Sequence, residues 1–237
     1  GEMTVNYNRD VEAFPVLQTI FEQILGHCPY KSPTDMGVNM AGSCIIDDET
    51  VRFAARQEII RRYYSAMCDR KQGKAEESQI LKLKMLMQKA NTTPEDRRVV
   101  APALERAELT GKPAAAMELP DGSIVTGRTS DLLGASSALL LNALKALGEI
   151  PQDLHLISPV ALDPIQHLKV DHLGNRNPRL HTDETLIALS ISAATNPMAK
   201  YAMEQLNKLR GCEVHSSVIL SSVDEKTFKR LGINLTC

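Results

Sequence analysis

The chain has 237 residues, enough for one large domain or two small ones and for a buried core in either case. Its 27 basic and 29 acidic residues give a net charge of -2, so no global basic field exists to condense on a phosphate backbone or an anionic membrane. Aromatic residues make up only 4% and Trp is absent, which leaves packing to aliphatic side chains and Met and supplies no stacking platform for bases; nucleic acid is not an expected partner.

No apolar run approaches the ~20 residues a bilayer needs, and residues 1–10 carry neither a basic nor an apolar leader region, so a cytoplasmic chain with no membrane partner is expected. Five widely spaced cysteines without a C-x-x-C pair suit reduced thiols better than a zinc cluster or a disulfide framework.

Apolar positions Phe14, Leu17, Ile20, Phe21 and Ile24 recur at helical spacing, and Gly26 ends that helix. A polar stretch punctuated by Pro29, Pro33, Gly37 and Gly42 follows, long for a featureless connector. Asp47 or Asp48 can cap a helix running to about Arg70, with Glu49 in its first turn. Another helix covers Glu76 to Lys89, and Thr93 followed by Pro94 opens a short third piece. Residues 1–110 thus form a mainly helical region.

From Gly111 the texture changes. Two short strands flank Pro120-Asp121-Gly122-Ser123 and predict a β-hairpin. Thr129 or Ser130 is expected to cap a helix from Leu132 to Leu147, apolar on nearly every side and small over Gly134–Ala138, hence buried against close neighbours. A strand at Leu154–Ile157, a helix from Asp163-Pro164, helices capped by Thr182 or Asp183 and begun at Pro197, a strand at Val214–Leu220, a Ser222–Glu225 capping box and a strand at Ile233–Thr236 complete the chain. The expected fold is α/β: a helical segment, then a domain at residues 111–237 with a mostly parallel sheet covered by helices and one β-hairpin.

Neither phosphate-loop pattern, G-x-x-x-x-G-K-[ST] or G-x-G-x-x-G, occurs, and H-E-x-x-H is absent. His167 and Asp171 lie four apart and could share a metal, but a solvated polar face explains them, and His155 and His215 fit structural strand histidines; no metal site is expected. Arg52, Arg56 and Arg70 alternate with Glu58 and Asp69, which fits a solvated helix surface. His27 and His181 sit in loop-like contexts and carry no signal.

Two polar clusters remain as candidate ligand- or phosphate-binding sites. One is the loop with Lys31, Ser32, Thr34, Asp35 and Asn39; the other is Arg128-Thr129-Ser130 at the start of the buried helix, where the dipole and the guanidinium could hold an anion. Simple N-capping and an ordered loop at the domain junction are the alternatives.

The strings at residues 4–12 (TVNYNRDVE), 31–39 (KSPTDMGVN), 57–64 (QEIIRRYY) and 186–197 (LIALSISAATNP), with 209–215 (LRGCEVH) and 231–236 (LGINLT), resemble an uncharacterised bacterial family, a domain of unknown function some of whose members are labelled ATP-dependent zinc proteases. The resemblance covers essentially the whole chain and implies that it is the C-terminal half of a protein about twice as long. Gly1-Glu2 would then fall mid-protein, and the remainder carries a Gly-rich, Lys-containing segment similar to a phosphate-binding loop. The resemblance thus implies a nucleotide-dependent enzyme, with ATP and Mg²⁺ as cofactors of the longer parent and this half as an α/β substrate domain. In that picture Arg9 and Lys31 neutralise phosphate charge, Ser32, Thr34 and Asn39 donate hydrogen bonds, and Asp35 orients a metal or a water. The rival expectation is a noncatalytic homo-oligomerisation or partner-binding module using the helix from Asp48 to Arg70 and the apolar face of Ile80–Met87. A metal-dependent hydrolase using His155, His167 or His215 ranks below both.

Overall fold

The chain divides into two compact units at Arg97–Arg98. The computed structural model describes residues 7–30 and 48–237, and of residues 7–12, 48, 50 and 51 it describes only the backbone. No helix among the described residues is long and apolar enough to cross a membrane.

In the first unit, α1 (Tyr7–Leu25) stops where Gly26 takes φ +73°, a conformation open to glycine. Helices α2 (Asp48–Lys71) and α3 (Glu77–Lys89) pack on each other, with Ile59, Ile60 and Ala66 against Ile80, Leu83, Leu86 and Met87. Three of the α2 arginines pair within their own helix, while Arg70 reaches Glu77 of α3. Arg52 meets Glu49 at 2.9 Å, while Arg61 and Arg62 both reach Glu58, at 3.0 and 3.2 Å, as a solvated face would arrange them. A 3₁₀ turn, Pro94–Asp96, follows Thr93, and the Asp96 carboxylate accepts the Thr93 N–H at 2.9 Å and the Thr92 hydroxyl at 2.8 Å.

The second unit opens with α4 (Val100–Thr110), which packs on β1 (Ala114–Glu118). A division at residue 110 would group α4 with the preceding helices; its packing groups it with the sheet. The hairpin forms as predicted between β1 and β2 (Ile124–Arg128), with Asp121 Oδ1 accepting the Ser123 N–H at 2.9 Å and Gly122 at φ +81°. The chain continues through α5 (Ala135–Leu147), α6 (Pro159–His167), a π turn (Leu168–His172), α7 (Thr182–Ser192), α8 (Pro197–Glu204), β3 (Glu213–Ser216), α9 (Ser222–Arg230) and β4 (Asn234–Thr236).

The sheet order is β2-β1-β3-β4. Strand β1 is antiparallel to both neighbours and only β3 and β4 pair in parallel, so the sheet is mixed rather than mostly parallel. The cause is the hairpin: it turns β1 against β2, and the chain then returns on the far side of β1. Strands β2, β3 and β4 therefore share one direction. Both faces of β1 are covered, since Ala115 and Met117 join the core that contains Leu139, Leu140 and Leu144 of α5, whereas Ala116 packs with Val99 and Ala103. This two-sided burial explains why Ala114–Met117 reads as a continuous apolar run.

Helix α5 lies so close to β2 that a Cβ on Gly127 would fall 2.2 Å from the Leu139 backbone nitrogen. Two other expectations are corrected. Leu154–Ile157 forms no strand: Leu156 and Ile157 are buried as a loop whose Leu156 carbonyl accepts from the Asn196 side chain at 3.4 Å instead of joining a ladder. Helix α6 begins at Pro159 after Ser158, because proline is suited to a first helical turn, and Pro164 lies inside it.

Candidate functional site

The shared direction of β2 and β3 brings their carboxyl ends to one edge, on either side of the start of β1. Gly127 and Ser216 both stand opposite Ala115, and the Ala114 N–H donates to Ser217 Oγ at 3.0 Å. The segment after β2 leads into α5 and that after β3 leads into α9, so both helix starts follow strands that end at the same edge of the sheet. A third helix start joins them. The Leu180 N–H donates to the Leu132 carbonyl at 3.0 Å, and the Leu180 carbonyl accepts from the Gly134 N–H at 3.3 Å and Ser137 Oγ at 2.9 Å. Arg179 Nε donates to the Ser130 carbonyl at 2.7 Å. This pairing sets the start of α7 beside the start of α5.

It also corrects the expected cap. Leu132–Gly134 is drawn into pairing with Leu180, so α5 begins at Ala135 with Gly134 at its N-cap, and no side chain caps it. Ser130 closes the preceding loop instead: its hydroxyl accepts the Leu133 N–H at 3.0 Å and its own N–H donates to the Leu133 carbonyl at 2.9 Å. The Thr129 N–H donates to the Pro113 carbonyl at 2.8 Å, and Arg128 ends β2 with its side chain exposed.

His181, the N-cap of α7, contacts Asp224 Oδ2 through Nδ1 at 3.1 Å and Ser221 Oγ at 3.3 Å. Ser221 is the N-cap of α9; its hydroxyl accepts the Asp224 N–H at 3.2 Å and donates to Asp224 Oδ2 at 2.8 Å. Asp224 Oδ1 accepts the Thr182 N–H at 2.9 Å, so one carboxylate ties the starts of α7 and α9 together. Burial pushes the Asp224 carboxyl up, but the Thr182 N–H, the Ser221 hydroxyl and His181 together hold it below the usual carboxylate range. It is therefore ionised at neutral pH and only accepts. The single Ser221 proton goes to Asp224, so the proton between ring and carboxylate must sit on Nδ1. A neutral His181 then carries its lone pair on Nε2, on a ring 30% exposed.

The backbone beneath this ring is also clamped. The His181 N–H donates to Glu184 Oε2 at 2.8 Å, and the same oxygen takes Lys169 Nζ at 2.6 Å. Lys169 is 3% exposed and also donates to the Arg179 carbonyl at 2.7 Å. A buried cation paired and hydrogen-bonded in this way is costly to form and rigid once made.

Residues 95–237, which include every residue of this cluster, match the family model "Domain of unknown function DUF1846, C-terminal", and residues 1–91 match its N-terminal counterpart. The chain belongs to the DUF1846 family. It is similar to UPF0371 protein cu0538 of Corynebacterium urealyticum, 55% identical over 236 residues, and to UPF0371 protein DIP2346 of Corynebacterium diphtheriae, 56% identical over the same length. A UPF0371 protein of Streptococcus pneumoniae is 53% identical. Each match covers 100% of this chain and 48% of the relative, so the chain spans about half the length of the curated relatives it matches.

Within this DUF1846 chain, Ser130 is brought to Arg179, just before α7, whereas Thr129 bonds to Pro113 and Arg128 stays exposed at the end of β2. Lys31, Ser32, Thr34, Asp35 and Asn39 lie outside the described residues, and Arg9 lies on α1 with its side chain outside them. His155 is exposed in the loop before α6, His215 is buried with Nδ1 2.9 Å from Thr236 Oγ1, and His167 is exposed 3.0 Å from Asp171. No group of three or more side chains suited to a metal ion occurs among the described residues. Sequence reasoning set His181 aside, yet a signal was present. Both H-x-x-E at 181–184 and S-x-x-D at 221–224 have capping-box spacing, which places two helix starts. That they meet is set by the fold.

Proposed function

We propose that this chain contributes the substrate- and anion-binding domain of a nucleotide-dependent, cytoplasmic enzyme of the DUF1846 family, with His181 as its acid–base group. One observation carries this reading: the Asp224 carboxylate holds His181 by Nδ1 at the point where it ties the starts of α7 and α9 together, which in the neutral ring leaves the lone pair on Nε2. A substrate bearing a phosphate or carboxylate would find Arg128 and the helix starts for its charge, and Nε2 to take or give a proton. Arg9, Lys31, Ser32, Thr34, Asp35 and Asn39 are assigned by residue chemistry to phosphate and Mg²⁺ recognition, a role that an alanine at Lys31 with unchanged ligand affinity would remove.

Thermal unfolding of this chain and of the full-length C. diphtheriae relative, each with and without ATP and Mg²⁺, tests the nucleotide part. A ligand at 100 times its Kd stabilises by about 2.7 kcal/mol. A shift in the longer protein alone supports a nucleotide grip outside this chain, and no shift in either refutes the nucleotide dependence. For the acid–base part, inorganic phosphate should perturb the His181 ring and Arg128 amide resonances. Silence at both residues would dismiss the site.

A second reading, a partner-binding or self-associating module, is favoured by α3, where Leu81 and Met85 stand one turn apart and are 53% and 60% exposed. Light scattering over a range of concentrations separates the two, since a mass that does not change with concentration counts against self-association.

A further inference from the structure

The second unit contains a cavity of about 230 Å³ between α5, the loop at 130–133 and the stretch from 155 to 162. Leu132, Leu133, Leu141, Ile157 and Leu162 give it apolar walls, and Lys145 lines it as well. Lys145 is only 8% exposed, and its Nζ donates to the Gln152 carbonyl at 2.9 Å. An ammonium has three N–H donors, so a buried cation is left with capacity unfilled at the edge of an apolar void. Burial pushes the Lys145 ammonium below the ordinary lysine range, partly offset by the charge of Asp153, which is exposed. A neutral apolar guest would leave that cation as poorly compensated as before, and a polar one would waste the leucine walls. An anion with an apolar tail satisfies both.

We propose that this cavity binds a short aliphatic carboxylate, its tail against the leucines and its carboxylate on Lys145 Nζ. At about 30 Å³ per water-sized group, the volume accepts about seven or eight heavy atoms, which with two carboxylate oxygens is a chain of about five or six carbons. Ser130 also borders it, but none of Arg128, His181, Ser221 and Asp224 does, and the test below turns on Lys145, which has no part in the function proposed above.

Isothermal titration of the 237-residue chain with butanoate, pentanoate and hexanoate, against hexan-1-ol and hexylammonium, tests the assignment. Saturable one-site binding of the carboxylates is expected, tightening about fourfold per methylene, with the alcohol about tenfold weaker than hexanoate and the ammonium not bound. Lys145→Met keeps the side-chain stem and removes the charge; it should cost hexanoate about tenfold or more and leave hexan-1-ol unchanged. Equal binding of hexanoate and hexylammonium, or no binding of any probe at millimolar concentration, overturns the proposal. Should the Met variant fail to fold, the comparison of head groups and chain lengths on the unaltered chain decides it.

Discussion

Asp224 is the residue through which the candidate site can be tested as a physical object. Its carboxylate accepts the Thr182 N–H, the Ser221 hydroxyl and the His181 ring, and the residue is 5% exposed. Hydrogen bonds to a charged group contribute about 1.5–3 kcal/mol each, and Asn keeps the shape while its amide faces one of those donors wrongly. Asp224→Asn should therefore cost about 2 kcal/mol, lowering Tm by about 4–8 °C, whereas Asp224→Ala, which also strands the Thr182 N–H, should cost about 3–4 kcal/mol. The charge adds a pH signature. The folded-state carboxyl titrates below its unfolded value of about 3.9, so the extra stability is complete above about pH 5 and is lost as pH falls through the depressed folded value. Urea unfolding followed by circular dichroism at about pH 7 and about pH 3 reads both effects: the gap between wild type and Asp224→Asn should shrink on acidification. A gap of the same size at both pH values, or none at neutral pH, would falsify the account of Asp224 as an ionised double cap.

Three further outcomes follow from other parts of the chain. Gly127→Ala sets a methyl against the α5 backbone at Leu139 and should destabilise by about 3 kcal/mol or more in denaturant titration, because backbone cannot yield as a flexible side chain does. Lys169→Met removes the partner of the partly buried Glu184 carboxylate and should cost about 2–4 kcal/mol; restoration of stability by the added change Glu184→Gln would show that the stranded charge was the cause. Burial, with Glu95 and Tyr63 adding to it and Arg97 opposing, pushes the Tyr64 phenol up to about 12. Because the folded state holds that proton longer, stability relative to Tyr64→Phe should fall as pH rises from about 10 towards 12, which ultraviolet difference titration and unfolding measure together.

Much of the fold was legible in the sequence because its signals are local. The helical spacing of Phe14, Leu17, Ile20, Phe21 and Ile24 in α1 and the Pro120-Asp121-Gly122-Ser123 turn each specify an element without reference to the rest of the chain. The small residues from Gly134 to Ala138 likewise announced a helix packed at close range, and the approach of α5 to Gly127 is that packing. Strand direction was not local. Two short runs read as strands, Ala114–Met117 and Leu154–Ile157; the first is a central strand, while the second, in which only Leu156 and Ile157 are buried, is a loop with no strand beside it to take up its backbone groups. Buried apolar side chains are present in both, and a ladder partner in only one.

The candidate site shows the same limit more sharply. Ser130 beside an apolar helix is a reasonable cap by residue type, but the Leu132–Gly134 backbone found a partner in Leu180, 46 residues beyond Gly134, and the cap passed to a glycine. Likewise His181 has no meaning until Ser221 and Asp224, about 40 residues on, arrive at the same point. Capping chemistry explains Ser221 and Asp224, which accept the Asp224 and Thr182 N–H groups that the starts of α9 and α7 leave open. It does not explain the ring. Asp224 would cap α7 through Oδ1 alone, and Ser221 would cap α9 with any neighbour at position 181, so the contact to Nδ1 is surplus to both caps. A fixed proton on Nδ1 is what that contact supplies, and in the neutral ring the lone pair is then confined to Nε2. The caps account for the architecture, and the orientation of His181 is the part that points to chemistry.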